Sequence, residues 1–229
     1  MLKFSKNMLG STIVATGLAI LSATVAPESN ATQIIGFGQS SGSNTVSITN
    51  PTATTSLLSI FNAAIGVTNF LGGGAPFAAF MNLSASSTAV ATVLGGAIDQ
   101  HFSGTFCISA AIGCTGTRFL YGSFIDNLSG QIGGASLTLS ASTPPGGNVT
   151  FNSDVLTAAQ LAAERGFALS LSNVTPANAL CGGATICAST SSFTGTASAQ
   201  IGRQVPEPAT LALIGIALAG LGFGLRKQV

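Results

Sequence analysis

Apolar residues alternate with serine and threonine along several short segments, and this alternation restricts the fold more than any other feature of the chain. It is clearest in residues 137–140, Leu-Thr-Leu-Ser, and 168–172, Ala-Leu-Ser-Leu-Ser. A period of two places one face of a strand in a core and the other in water, so these segments predict half-buried strands. The segments predicted as strands are 45–49, 102–109, 118–126, 135–142, 148–153, 167–174 and 192–201.

Glycine and proline clusters separate these segments and mark turns, at residues 133–134, 144–147 and 176–178. Short strands with such turns predict an all-β fold, an antiparallel, jelly-roll-like β-sandwich that forms one secreted domain over residues 32–204. Residues 56–70 carry apolar residues at helical spacing, but their Gly-Val-Thr triplet at 66–68 favours strand or irregular structure, and the glycines at 72–74 form a loop.

One short helix is predicted from Thr157 to the glycine at position 166. Thr157 is a suitable N-cap, Leu161 faces the core, Glu164 and Arg165 close the last turn, and Gly166 occupies the stop position.

The segment from residue 205 to residue 229 combines a proline-bracketed acid, an apolar run and a basic pair. Residues 210–225 carry no charge and come close to the lower limit of about 17 residues for a membrane-spanning helix. Basic residues favour the cytoplasmic side, so we expect the rest of the chain to lie outside. The alternative is a buried core helix, which would normally have a polar face that this segment lacks. The residues of this pattern are Val205, Pro206, Glu207, Pro208, Arg226 and Lys227.

This arrangement resembles the PEP-CTERM sorting signal of surface proteins from Gram-negative bacteria and cyanobacteria. The resemblance implies recognition by exosortase, a membrane-embedded protease, and removal of the tail near the Pro-Glu-Pro triplet at 206–208. The two prolines prevent helix formation and strand pairing there, which keeps the triplet extended and accessible. The basic end, Arg226 and Lys227, is shorter than in many members of the family.

The first 31 residues are predicted to be a secretory signal peptide. Lys3 and Lys6 precede an apolar core at residues 13–21, whose short length disfavours an uncleaved anchor. We expect the export machinery to translocate the chain and signal peptidase to cut between Ala31 and Thr32. A cut after the alanine at position 26 is the competitor, which the following proline disfavours.

Four cysteines form two closely spaced pairs, Cys107 with Cys114 and Cys181 with Cys187. Export to an oxidising compartment permits disulfides, and four cysteines allow three connectivities. We expect the two local pairings, because both intervals are short and contain glycine. A zinc site is disfavoured, because the spacing is not that of a CxxC motif and the chain has one histidine.

Charge and motif content argue against an enzyme and against a nucleic-acid-binding protein. Charged residues make up 6% of the chain and its formal net charge is +1, so there is no basic patch to bind nucleic acid. The sequence Asp99-Gln100-His101 is the one place where an acid and a histidine meet, and no Gly-x-Ser-x-Gly nucleophile accompanies it. Acidic residues are too scattered for a calcium site or a glycosidase pair, and no cofactor is expected.

These observations favour an exported, non-enzymatic surface or extracellular-matrix (biofilm) protein that is associated with extracellular polysaccharide. It would begin as an inner-membrane-anchored precursor and end at the cell surface or outside the cell. The alternative is a lectin-like module that binds a glycan through Tyr121, Asn127 and loop hydroxyls. The chain has no tryptophan and one tyrosine, so aromatic platforms for a sugar are few.

Overall fold

The computed structural model describes residues 31–40, 42–142, 148–161 and 164–200. The predicted signal peptide up to residue 30, the sorting signal at 205–208 and the apolar segment at 210–225 lie outside the described residues.

The described residues form a β-structure of thirteen strands. One 3-10 turn, Ile112–Cys114, interrupts it. The strands are β1 Ala31–Gln39, β2 Val46–Thr52, β3 Thr55–Phe70, β4 Phe77–Ser87, β5 Thr92–Leu94, β6 Ala97–Ala111, β7 Thr115–Gln131, β8 Ser136–Ser142, β9 Asn148–Val149, β10 Glu164–Thr175, β11 Leu180–Cys181, β12 Thr185–Ile186 and β13 Ser189–Gln200.

The main sheet is antiparallel throughout and closes on itself. Its long strands pair in chain order, β3 with β4, β4 with β6, β6 with β7, β7 with β8, β8 with β10 and β10 with β13. The last strand, β13, then pairs with β1, which returns to β3. The prediction of an antiparallel all-β domain is confirmed, and the order of pairing is that of a meander rather than of a jelly roll.

Strands β1 and β2 share one position in this closed sheet. Both run antiparallel to β3 and to β13, with β1 opposite residues 65–70 of β3 and β2 opposite residues 55–60. The sheet therefore has eight strand positions around its circumference, a number at which side chains fill the interior.

The core lies inside this closed sheet and follows the predicted alternation. Along β8 the burial pattern alternates strictly, with Leu137 and Leu139 buried and the flanking hydroxyl residues exposed. Phenylalanine rings fill the centre, where Phe167 stacks on Phe106 with ring centroids 4.3 Å apart and on Phe124 at 5.9 Å. Burial of these rings together with the surrounding aliphatic side chains stabilises the closed sheet.

The predicted helix after Thr157 is wrong, whereas the strand interpretation of residues 56–70 is confirmed by β3. The predicted capping interaction at Thr157 does form. The side-chain oxygen of Gln160 accepts a hydrogen bond from the backbone N–H of Thr157, as in a capping box. The segment makes one turn, and the described part of the chain contains no α-helix. Glu164, Arg165 and Gly166 instead begin β10, where they pair with residues 198–200 of β13.

Candidate functional site

The hairpin between β6 and β7 ends in a loop that a disulfide folds back onto its own strand. Cys107 in β6 bonds to Cys114 in the 3-10 turn, as predicted, with Cα atoms 5.9 Å apart. Gly113 and Cys114 both have positive φ angles, 71° and 59°, so the backbone reverses sharply at the tip. The tip therefore lies over the outer face of the sheet beside strands β3 and β4.

A β-bulge in β3 lies next to this tip. The register changes from Ile60 opposite Leu83 to Ala63 opposite Met81, so two residues, Phe61 and Asn62, face a single residue on β4. Bulges of this kind bend a strand and redirect a side chain. Here Phe61 is 80% exposed, whereas the preceding Ile60 is buried and the following Asn62 is half-buried.

Two hydrogen bonds hold the bulge in place. The side-chain oxygen of Asn82 accepts the backbone N–H of Asn62 at 2.9 Å. In turn, the side-chain oxygen of Asn62 accepts the backbone N–H of Gly113 at 2.6 Å. The left-handed backbone of Asn62 (φ 49°), which asparagine adopts more readily than most residues, is thus fixed by β4 and by the disulfide-closed tip.

The bulge forms one side of an open groove of about 470 Å³ on the outer face of β3, β4, β6 and β7. Two rows of side chains cross these strands, and paired residues on neighbouring strands share a face. One row consists of Asn82, Cys107, Tyr121 and Asn152, and the other of Ser84, Thr105, Ser123 and Thr150.

Tyr121 lies on the side of the groove opposite the bulge, and Arg118 stacks on its ring. The guanidinium carbon is 4.1 Å from the ring centroid. The same guanidinium donates to both carboxylate oxygens of Asp154, at 3.1 and 2.9 Å, and the backbone N–H of Arg118 donates to one of them. These hydrogen bonds lower the pKa of Asp154 and raise the pKa of Arg118, so both groups stay charged.

The second disulfide, Cys181–Cys187, also forms as predicted and closes the small hairpin of β11 and β12. Thr185 and Ile186 in this hairpin are almost fully buried. The backbone N–H of Ile186 donates to the buried side chain of Gln100. The hairpin therefore packs against the inner-facing residues at one end of the closed sheet.

The two residues predicted for a lectin site, Tyr121 and Asn127, do not come together. They lie on the same face of β7 but six residues apart, a separation of about 20 Å in an extended strand. Asn127 instead bridges the acid and the histidine noted in the sequence, since its amide contacts His101 at 3.0 Å and Asp99 at 3.1 Å. The side chain of Ser129 donates to the same carboxylate at 3.2 Å.

Across the described ranges, no group of three or more histidine, cysteine or acidic residues is placed to hold a metal ion. The same part of the chain contains no helix that is long and apolar enough to cross a membrane.

Comparison with protein families gives one match, to the PEP-CTERM protein-sorting motif, over residues 204–228. The chain carries a PEP-CTERM sorting motif. The match includes every residue that the sequence pattern singled out, from Val205 to the basic pair Arg226 and Lys227. Searches of curated proteins and of solved structures found no match to the chain.

The PEP-CTERM motif accounts for sorting, whereas the groove lies in the preceding domain and was missed from the sequence. Its walls depend on Phe61 and Asn82, which lie in segments where the alternation is broken or weak. The sequence does contain one signal for the bulge. Phe61 and Asn62 interrupt the alternation between Ile60 and Ala63, and a polar residue out of phase in a long strand is a mark of a bulge.

Proposed function

We propose that this protein is an exported, non-enzymatic component of the cell surface or extracellular matrix, associated with extracellular polysaccharide after exosortase has removed its anchor. The observation that carries the proposal is the PEP-CTERM motif at residues 204–228, which supports an exosortase-targeted surface protein. In this scheme residues 210–225 hold the precursor in the membrane, and the Pro-Glu-Pro triplet at 206–208 is presented to the protease.

The two disulfides are consistent with export, because such bonds persist in oxidising compartments. A signal-peptidase cut between Ala31 and Thr32 also suits the fold. Thr32 pairs with Ala199 near the start of β1, so the cut would leave the rest of this strand within the sheet. The secreted domain would then comprise residues 32–204.

A structural rather than catalytic role is supported by the arrangement around the histidine. The imidazole of His101 contacts the amide of Asn127 and not a carboxylate, so it lacks the orienting acid of a hydrolase triad. The nearby hydroxyl of Ser129 donates to Asp99 and is not activated by the histidine. The groove contains no ionisable acid–base pair that would serve a glycosidase.

The experiment that tests this function follows the tail in native cells. We expect Pro206→Ala and Glu207→Ala to leave export intact but to retain an uncleaved, membrane-held precursor, because the hydrophobic anchor remains while the recognition segment is altered. Gln204→Ala, in the same segment but outside the triplet, is the matched control and should be processed normally. Mass spectrometry of the termini and fractionation of membrane, surface and extracellular polysaccharide report the outcome.

Normal release of both triplet variants, or recovery of intact Arg226 and Lys227 on the surface of cells with active exosortase, would contradict processing. Absence of the mature protein from the polysaccharide fraction would contradict the proposed association.

A further inference from the structure

We propose that the groove between the β3 bulge and Tyr121 binds an uncharged sugar ring of a polysaccharide. The inference rests on the proposed association with extracellular polysaccharide and assigns that association to a particular site. It differs from the lectin site expected from the sequence, because it depends on Phe61 and Asn82 rather than on Asn127.

Phe61 presents an exposed aromatic ring at one side of the groove. Phe61 is 80% exposed and so gains little from the core, and the bulge that begins with it is held by Asn82 from one side and by the tip residue Gly113 from the other. Bulges are frequent next to binding sites, where they redirect a side chain. The ring face of Phe61 offers an apolar surface of the kind on which the C–H face of a pyranose packs.

The floor and the far wall of the groove carry polar side chains. Between Phe61 and Tyr121 lie amides and hydroxyls, which can both donate to and accept from sugar hydroxyls. Asn82 lines the floor of the groove, and the hydrogen bond that its oxygen accepts from the N–H of Asn62 fixes the orientation of its side chain. The polar side chains of the groove are Asn82, Ser84, Thr105, Ser123, Thr150 and Asn152.

None of the residues that line the groove is charged. Arg118, which stacks on the groove residue Tyr121, is paired in bidentate fashion with Asp154. A phosphate or a uronic acid would find no free counter-charge here, so the groove favours a neutral glycan. Its volume of about 470 Å³ lies within the range of about 300–1,000 Å³ that is usual for ligand sites.

The Cys107–Cys114 bridge acquires a positioning role in this site. Cys107 pairs with Asn82 across the strands, and its bond to Cys114 places Gly113 where its N–H reaches Asn62. The disulfide thus lines the groove and supports the wall that carries Phe61.

The chain provides its own probe for this site. It contains no tryptophan and a single tyrosine, Tyr121, so tyrosine fluorescence reports on the groove alone. Full-length protein in a zwitterionic detergent without a sugar headgroup is titrated with the hexasaccharides of cellulose, laminarin, amylose and chitin, and with hexagalacturonate as the anionic comparison. Titrations run to about 10 mM, because weak sites have dissociation constants of about 1 mM.

We expect saturable fluorescence changes with at least one neutral hexasaccharide and none with hexagalacturonate. Phe61→Ala should weaken the affinity about tenfold or more, since it removes a stacking surface. Leu94→Ala is the matched control, because Leu94 is equally exposed, at 86%, but lies in the distant β5 strand and should bind as the unaltered protein does. Both variants remove exposed side chains, so both should keep the unfolding midpoint.

No saturable response to any neutral hexasaccharide would overturn the proposal, as would a response that Phe61→Ala leaves unchanged or one given by hexagalacturonate alone. The fractionation experiment separates this failure from failure of the broader function. If Phe61→Ala remains in the extracellular polysaccharide fraction as fully as the unaltered protein, the groove assignment is wrong while the association stands.

Discussion

The side chain of Gln100 accepts the backbone N–H of Ile186 at 2.9 Å, which joins β6 to the disulfide-closed hairpin at the end of the sheet. The amide nitrogen of Gln100 donates to the hydroxyl of Ser87 and to the carbonyl of Ala89, at 3.2 and 3.0 Å. Ser56 completes the set by donating to the same oxygen that Ile186 contacts. One buried amide thus connects β3, β4, β6 and the hairpin.

Replacing this amide with an apolar side chain of similar length should therefore destabilise the fold. Gln100→Met leaves the buried N–H of Ile186 without its hydrogen-bond partner, and such a group costs about 1–3 kcal/mol. We expect the free energy of unfolding to fall by about 1–3 kcal/mol. Urea denaturation measures the change, and Gln131→Met on the exposed face of β7 is the control, expected to be nearly neutral. Equal midpoints for the two variants would show that the hairpin does not depend on Gln100.

The two disulfides are expected to act independently. Cys107→Ser should free one thiol, at Cys114, while Cys181 and Cys187 remain bonded. The free energy of unfolding should fall by about 2 kcal/mol, because the unfolded chain without this bridge has more conformational entropy. Peptide mapping under non-reducing conditions, with thiol labelling and urea denaturation, tests both parts. Cys181→Ser is the reciprocal variant and should leave the 107–114 peptide bridged. A peptide that joins one pair to the other would contradict two separate bridges.

The strands whose alternation is strong were predictable from the sequence, and those whose alternation is weak were not. Strand β8 alternates leucine with hydroxyl residues, so its two faces differ in hydropathy and the period is visible. Strand β4 places Ala79, Met81, Leu83 and Ala85 in the core, but Ala78 and Phe80 on its other face hide the period. Strand β1 was missed because Ile34 and Ile35 are consecutive and both buried, at a change of register against β13.

The helix prediction failed because a local start signal does not determine how far a helix extends. Thr157 and Gln160 form the capping arrangement that the sequence suggests. Arg165 and Gly166 instead pair with residues 199 and 198 of strand β13. This non-local pairing outweighs the local helix propensity. The groove was not predicted from the sequence for a related reason. Its wall needs a hydrogen bond between Asn62 and Gly113, which are 51 residues apart.

The segment that follows β9 approaches β7 closely at Gly122. A Cβ atom at this position would overlap the carbonyl oxygen of Thr150, which belongs to the backbone and cannot rotate away. Gly122→Ala should therefore displace this segment from Tyr121, cost about 1–3 kcal/mol of stability and change tyrosine fluorescence. Gly42→Ala is the matched control, since a Cβ there meets nothing within 4 Å, and it should be neutral or slightly stabilising. An unchanged unfolding midpoint and spectrum for Gly122→Ala would mean that the segment after β9 does not pack closely on β7.

The ion pair of Arg118 and Asp154 predicts how part of the stability depends on pH. Hydrogen bonds from Arg118 lower the pKa of Asp154 in the folded protein. The contribution of the ion pair to the free energy of unfolding is therefore fully present above the unfolded pKa of about 3.9, and it is lost as the pH falls through the lower folded pKa. Asp154→Asn removes the charge, so its urea midpoint should lie below that of the unaltered protein at neutral pH. The two midpoints should converge in acid, once the carboxylate is protonated. Because the pair is at the surface, the neutral-pH difference should be small and should shrink further in about 1 M salt. A difference that stays constant from neutral to acidic pH would show that Asp154 supports the fold through packing and not through its charge.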